Sequence, residues 1–91
     1  MVVITPFEDE DDALAIANDS PYGLAAGVST GDAARARRVA SALDAAQVFV
    51  NGYGRYDFAA PFGGFKQSGW GKEMGAASLD AYTRLKSVWL S

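Results

Sequence analysis

Short apolar runs alternate with polar, helix-favouring stretches in the first half of the chain. Val2–Ile4 is a β-branched run that stops at Pro6, and Leu24–Ser29 and Gln47–Asn51 are two further apolar runs. Short runs of this kind, bounded by turn residues, are typical of strands. The pattern therefore predicts three strands in this half, the first of them at the start of the chain.

The two stretches between these runs have helical patterns. Phe7–Ser20 begins with a crowd of acidic residues, which the helix dipole favours at that end, and Asn18–Gly23 is a string of turn residues that ends it. Asp32–Asp44 places apolar residues at the spacing of one buried helical face: Ala36, Val39, Ala40 and Leu43. We interpret the acidic run and the three arginines of the second stretch as solvated faces rather than ion-binding sites.

The predicted order is β-α-β-α-β, with helices of crossover length. This order implies an α/β fold with a three-stranded parallel layer and right-handed connections. Parallel strands are normally buried on both faces, and two short helices cover such a layer poorly. The pattern therefore indicates that more protein packs against this one.

The composition changes at Gly52–Gly75, which holds seven of the ten glycines and six aromatic residues. A long loop of this kind is uncommon in a compact domain unless it is functional or held by a partner. Beyond it, the pattern predicts a short helix at Ala76–Tyr82 and a last strand at Thr83–Leu90. No neighbouring hairpin offers that strand a mate, so it is suited to pairing with another chain.

The glycine-rich loop fits neither common phosphate-binding motif. In Gly63–Gly69 the lysine precedes the last glycine, whereas a P-loop needs it afterwards. Gly52–Gly54 is followed by Asp57, and Gly69–Gly71 by Met74, where a dinucleotide fingerprint needs a third glycine. An independent nucleotide-binding domain is therefore disfavoured.

Composition narrows the chemistry further. The chain has 91 residues, a net charge of −3, no cysteine and no histidine. One small domain is the most it can form, and disulfides, a thiol nucleophile and the common zinc sites are excluded. Its charge gives no attraction to nucleic acid or to anionic membranes. Without a basic n-region or a long apolar run, we expect a soluble, cytoplasmic protein.

Several short motifs in the sequence resemble motifs of the aldehyde dehydrogenase family. The run PFGGFKQSGWGKE at Pro61–Glu73 is similar to a signature near the C-terminus of those enzymes. Four other words follow the family in the same order: Pro6–Ala13, Ala17–Leu24, Val48–Asn51 and Tyr82–Trp89. The resemblance covers essentially the whole chain, and it identifies a C-terminal portion of such an enzyme.

The resemblance implies oxidation of an aldehyde to a carboxylic acid with NAD or NADP. In that family a cysteine thiolate attacks the aldehyde, and a glutamate activates the water that hydrolyses the thioester. The nucleophile, the glutamate and the cofactor domain would lie upstream of Val2. Alone, the chain is expected to bind no cofactor and to be inactive.

The resemblance also implies different roles for two segments of the chain. Residues 1–82 would be part of the catalytic domain, including the loop at 52–75, and residues 83–91 would be an oligomerisation strand. Tyr56 and Phe62 match apolar walls of the family's aldehyde tunnel, and Gly54 and Phe58 are weaker candidates. The alternative is that these aromatic residues only pack internally.

Three further positions match less common features of the family. Glu73 corresponds to a charge-relay glutamate of some branches, although a helix-start role beside Lys72 is an alternative. The backbone carbonyls of Lys66 and Gly69 correspond to a monovalent-cation site. Asn51 is expected to cap the loop rather than to take part in chemistry, and no side-chain metal site is predicted.

The expected partners are the rest of the parent enzyme and further copies of the chain. We expect self-association through Leu85–Leu90, through the uncovered sheet, or through both. A different function stays open: a stand-alone, non-catalytic interaction module that descends from the family. The two share every residue, so motifs do not separate them. Neither the aldehyde nor the choice between NAD and NADP is specified by these residues.

Overall fold

A computed structural model describes all 91 residues. Its elements are α1 (Glu10–Asn18), β1 (Tyr22–Gly23), β2 (Ala25–Val28), α2 (Ala33–Ala42), β3 (Gln47–Val50), β4 (Phe65–Lys66), a 3₁₀ turn (Ala76–Ser78) and α3 (Leu79–Tyr82). The longest helix, α2, has ten residues. None of the helices combines the length and the apolar character that crossing a membrane requires.

The centre of the fold is a parallel pair of strands joined by a helix. β2 pairs with β3 in a register that runs from Ala25 opposite Gln47 to Val28 opposite Val50. Helix α2 connects the two strands, as the apolar spacing of its residues predicts, and Ala36 on that face is buried. Helix α1 is tied to α2 by a bidentate ion pair, in which Arg38 donates to Glu10 at 2.6 and 2.9 Å.

A second, antiparallel pair of strands returns the glycine-rich loop to the turn after α1. Tyr22 of β1 lies opposite Lys66 of β4, and Gly23 lies opposite Phe65. Gly23 is buried, and a Cβ there would lie 2.8 Å from the Asp44 carbonyl oxygen. Only glycine therefore lets β1 approach both β4 and the end of α2.

The strands predicted at the two ends of the chain are absent. Val2–Ile4 and Thr83–Leu90 have no regular secondary structure, so the parallel sheet has two strands rather than three. The physical reason is that a strand needs a backbone partner, and neither segment finds one within the chain. Helix α1 also begins at Glu10 rather than at Phe7.

The chain buries little of its own surface. Three residues are buried, and the accessible surface is 7698 Å², against about 5,100 Å² for a compact monomer of this mass. The radius of gyration is 17.4 Å, where about 12 Å is typical of 91 residues. Many large apolar side chains are exposed, and Val2, for example, is 87 % exposed. The fold therefore has secondary structure without a core of its own.

Helix α2 begins with a charge-dependent cap. The Asp32 carboxylate accepts the amides of Ala34 at 2.9 Å and Arg35 at 3.2 Å, and these bonds lower the pKa of Asp32 below 3.8. A carboxyl whose pKa falls on folding stabilises the folded state above its unfolded pKa. That contribution is lost as the pH falls through the lowered value.

We expect the cap to weaken in acid. Amide exchange at Ala34 and Arg35 should speed up as the pH falls through the lowered pKa of Asp32, once the intrinsic effect of pH on exchange is removed. Asp32→Asn keeps the acceptor oxygen without the charge, so the pH effect should disappear, and Asp32→Ala should expose both amides at neutral pH. Equal protection in the aspartate and alanine forms would contradict the role of the cap.

Candidate functional site

Four aromatic side chains form a connected cluster beside the parallel strands. The Phe49 ring of β3 lies 4.8 Å from Tyr53 and 6.3 Å from Tyr56, measured between centroids. Tyr56 in turn lies 5.5 Å from Phe62. The last two pairs meet edge to face, an arrangement that aromatic quadrupoles favour. We refer to Phe49, Tyr53, Tyr56 and Phe62 as the aromatic cluster.

The cluster contains two of the four residues expected at a tunnel wall. Tyr56 and Phe62 are brought together, whereas Phe58 is 89 % exposed and makes none of the ring contacts. Gly54 has a φ of +74° and lies in open space. Phe49 and Tyr53 were missed because the strand pattern marks Phe49 only as a core residue, and Tyr53 has no periodic signal in a loop.

Glu73 orients Phe62 through its backbone. The Phe62 amide donates to the Glu73 carbonyl oxygen at 2.7 Å, and the Glu73 amide donates back at 2.7 Å. The Gly75 amide donates to the Phe58 carbonyl oxygen at 2.6 Å, which closes the same loop. The Glu73 side chain is exposed and forms no ion pair within the chain. Its proposed relay therefore needs a partner from outside these 91 residues.

The two glycines that follow Phe62 let the loop fold tightly. A Cβ on Gly63 would overlap the Gly71 carbonyl oxygen, and a Cβ on Gly64 would lie 2.5 Å from the Ser68 Cβ. Gly64 is one of the three buried residues. The two glycines of the PFGG motif are therefore required for steric reasons, because no larger residue fits at position 63 or 64.

Lys66 holds the loop to the end of α1. Its ammonium donates to the carbonyl oxygens of Asn18 at 3.0 Å and Ser20 at 3.1 Å, and Asp44 Oδ2 lies 3.1 Å away. The Lys66 carbonyl oxygen accepts the Gly69 amide at 3.4 Å, so these two candidate cation positions share one turn. No cluster of three acidic or other metal-ligating side chains is present.

A charged cluster and a groove lie between α1 and α2. Arg38 lowers the pKa of Glu10, chiefly by donating hydrogen bonds to it, and the same contact raises the pKa of Arg38. Arg35 lies 3.4 Å from Glu10. The groove has a volume of about 560 Å³ and is lined by apolar residues such as Leu14 and Val39. None of the candidate site residues lines it.

The sequence matches a known protein family over almost its whole length. The aldehyde dehydrogenase family model matches residues 1–88. The chain is 47 % identical over all 91 residues to the NADP/NAD-dependent aldehyde dehydrogenase PuuC of Escherichia coli, and covers 18 % of that protein. It is 47 % identical over 88 residues to an aldehyde dehydrogenase of Aspergillus niger, again covering 18 %.

Solved structures agree. The NAD⁺ complex of an aldehyde dehydrogenase from Bacillus cereus matches 98 % of the chain with a TM-score of 0.91 at 48 % identity, over 18 % of that enzyme. The aldehyde dehydrogenase KauB from Pseudomonas aeruginosa matches 92 % of the chain with a TM-score of 0.85 at 51 % identity, over 17 % of its length. The chain thus spans less than a fifth of each of these four relatives.

Proposed function

The chain belongs to the aldehyde dehydrogenase family, and we propose that it is the C-terminal portion of an enzyme that oxidises an aldehyde to a carboxylic acid with NAD or NADP. Its part is to supply a wall of the substrate tunnel and contacts between subunits. The observation that carries this proposal is the packing of Tyr56 against Phe62 in a chain that follows the family throughout. In the whole enzyme, residues 1–82 would be the catalytic-domain part, and residues 83–91 would be the oligomerisation strand.

A tunnel wall explains why the aromatic cluster is open on one side. Tyr56 is 60 % exposed and Tyr53 is 72 % exposed, although each touches another ring. Aromatic surface of this size is normally covered by a ligand or by protein. An apolar aldehyde would cover it in the intact enzyme, and the wall would keep water from the reacting carbon.

The reacting groups come from outside the chain. It contains no cysteine, so it offers no thiol to attack an aldehyde. The residues present also do not fit a dinucleotide. The amides at the start of α1 and of α2 bind the carboxylates of Asp9 and Asp32, and such acidic ends repel a pyrophosphate. We assign the cofactor to the rest of the enzyme, and Glu73 and the Lys66–Gly69 turn stay accessory candidates.

The subunit contacts would come from surfaces that have no partner within the chain. Leu85 and Leu90 are more than 90 % exposed, and Val2–Ile4 is exposed and belongs to neither pair of strands. In the whole enzyme each segment would become a strand by pairing with a neighbour. The sparse burial supports this function over a stand-alone interaction module, because an independent module needs a core of its own.

A chimera tests the proposal. This chain would replace the matching segment of the Bacillus cereus aldehyde dehydrogenase, whose fold it follows with a TM-score of 0.91. We expect the chimera to oxidise aldehydes with NAD⁺. Tyr56→Ala and Phe62→Ala should each raise the KM for an apolar aldehyde by about tenfold, because a lost apolar contact has an effect of that order.

Trp70→Ala is the control for the two wall variants. Trp70 is 98 % exposed and lies outside the aromatic cluster, so Trp70→Ala should leave the KM unchanged. A chimera that folds and assembles but oxidises no aldehyde would overturn the proposed function. An active chimera in which Tyr56→Ala and Phe62→Ala behave like Trp70→Ala would remove the tunnel wall from the proposal.

A further inference from the structure

Asn51 links the start of the aromatic loop to the opposite strand. The Thr30 amide donates to Asn51 Oδ1 at 2.8 Å, and Asn51 Nδ2 donates to the Thr30 carbonyl oxygen at 2.9 Å. The Asn51 amide itself donates to the Val28 carbonyl oxygen at 2.8 Å. One side chain therefore satisfies both backbone groups of Thr30, in the way that one more residue of strand would.

The Asn51 backbone turns the chain at the same point. Its φ is +53°, a left-handed conformation that asparagine tolerates better than most residues. Beyond this turn, Tyr53 lies against the Phe49 ring, and a Cβ on Gly27 would lie 3.7 Å from the Tyr53 ring. Gly27 and Phe49 are register partners on β2 and β3. The turn thus sends Tyr53 back over the parallel strands.

The position of the aromatic cluster, the proposed tunnel wall, depends on the turn at Asn51 and on its bonds to Thr30. Tyr53 and Tyr56 both contact Phe49, and Tyr56 contacts Phe62. A shift of the loop at Asn51 would therefore change the contacts of all four rings in the cluster. The two tyrosines are largely exposed, so their own packing resists such a shift weakly. The bonds to Thr30 are the connection between the first residue of the turn and the β2–α2 loop.

We infer that Asn51 is a positioning residue for substrate size, because its double hydrogen bond to Thr30 sets where the aromatic wall stands. The inference rests on the proposed function of that wall. Asn51 touches no substrate in this role. Its loss should change how well a bulky apolar aldehyde is accepted relative to a short one, and should affect the chemical step much less.

The test uses the chimera and two aldehydes of different size, benzaldehyde and acetaldehyde. Asn51→Gly keeps a residue that adopts the positive φ and removes both bonds to Thr30. We expect the ratio of kcat/KM for benzaldehyde to that for acetaldehyde to change by about tenfold, through KM rather than kcat. Hydrogen exchange of the Thr30 amide, which donates to Asn51 Oδ1, should speed up in the same variant.

A matched control separates the bonds from the residue that receives them. Asn51 uses only backbone groups of Thr30, so Thr30→Ala should keep the parental ratio and the slow exchange of the amide at position 30. The Thr30 hydroxyl accepts the Asp32 amide at 3.2 Å, so faster exchange at Asp32 in this variant does not count against the control. Asn51→Asp is the second variant, since it keeps the size but turns a carboxylate oxygen toward the Thr30 carbonyl oxygen. It should change the ratio as Asn51→Gly does, even if the glycine variant fails to fold.

The outcomes distinguish this inference from the proposed function. An active chimera whose Asn51 variants keep both the parental ratio and slow exchange would overturn the inference alone. Faster exchange with an unchanged ratio would overturn it as well, because the bonds would then hold the loop without setting the wall. A folded but inactive chimera would overturn the proposed function and the inference with it.

Discussion

Replacing Gly63 with alanine is expected to displace the glycine-rich loop and, in the chimera, to remove most of the aldehyde oxidation. The new methyl group would overlap the Gly71 carbonyl oxygen and lie 2.9 Å from Lys72 Cδ. The Gly71 oxygen is a backbone atom, so it cannot rotate away as a side chain would. The segment that carries it is fixed by the two hydrogen bonds between Phe62 and Glu73. The clash is therefore relieved only by breaking those bonds, which also moves Phe62 from Tyr56.

The expected magnitude follows from overpacking and from geometry. Extra methyl groups in tight sites destabilise by about 1–3 kcal/mol, and a displacement of about 1 Å at a site lowers rates by about a hundredfold. Thermal unfolding and kcat/KM of the chimera measure the two effects. The matched control is Gly52→Ala, because Gly52 lies in open space and its φ is outside the left-handed region. A Gly63→Ala chimera that matches Gly52→Ala in both measurements would contradict this steric role.

Local patterns in the sequence identified the helices and the parallel pair. The spacing of Ala36 with Val39 and Leu43 predicts α2, and Asp32 marks its start because the side chain accepts the first amides. These signals lie within a few residues of one another, where side-chain periodicity and capping decide the structure. The same holds for β2 and β3, whose apolar runs pair once α2 connects them.

Contacts between distant residues were beyond the sequence patterns. Tyr22 pairs with Lys66 across 44 positions, and Lys66 binds the Asn18 carbonyl oxygen across 48. Neither residue type has a local preference that names its partner. The aromatic cluster was half predicted for the same reason: family resemblance indicated Tyr56 and Phe62, whereas Phe49 and Tyr53 join them only through the turn at Asn51.

The terminal segments show a different limit. The β-branched run at Val2–Ile4 and the apolar residues of Leu85–Leu90 predict strands, because both are rich in side chains that avoid water, yet both segments are exposed in the structure. A pattern does not say which chain supplies the partner strand. Within 91 residues none does, and both segments stay without a ladder. This disagreement between pattern and structure marks the surfaces where we expect association.

The chain on its own should therefore self-associate at micromolar concentration, with a mass of at least twice 9.6 kDa by light scattering. It exposes about 2,600 Å² more surface than a compact monomer of its mass, and stable interfaces bury about 1,200–2,000 Å² in total. The exposed fractions of Leu85, Trp89 and Leu90 are all above 90 %. Covering this surface is the largest favourable change open to the chain.

Removing Thr83–Ser91 locates the interface and discriminates between the two functions. The truncated chain should associate less and keep its helical circular dichroism, because α1 and α2 are joined by Glu10 and Arg38 far from that end. Undiminished association would place the interface on the β2–β3 sheet, and a monomeric parent chain would contradict self-association altogether. A defined oligomer that unfolds cooperatively would favour the stand-alone interaction module. Open-ended aggregation would favour a portion of a dehydrogenase, because exposed strand edges and apolar patches then await the rest of the enzyme.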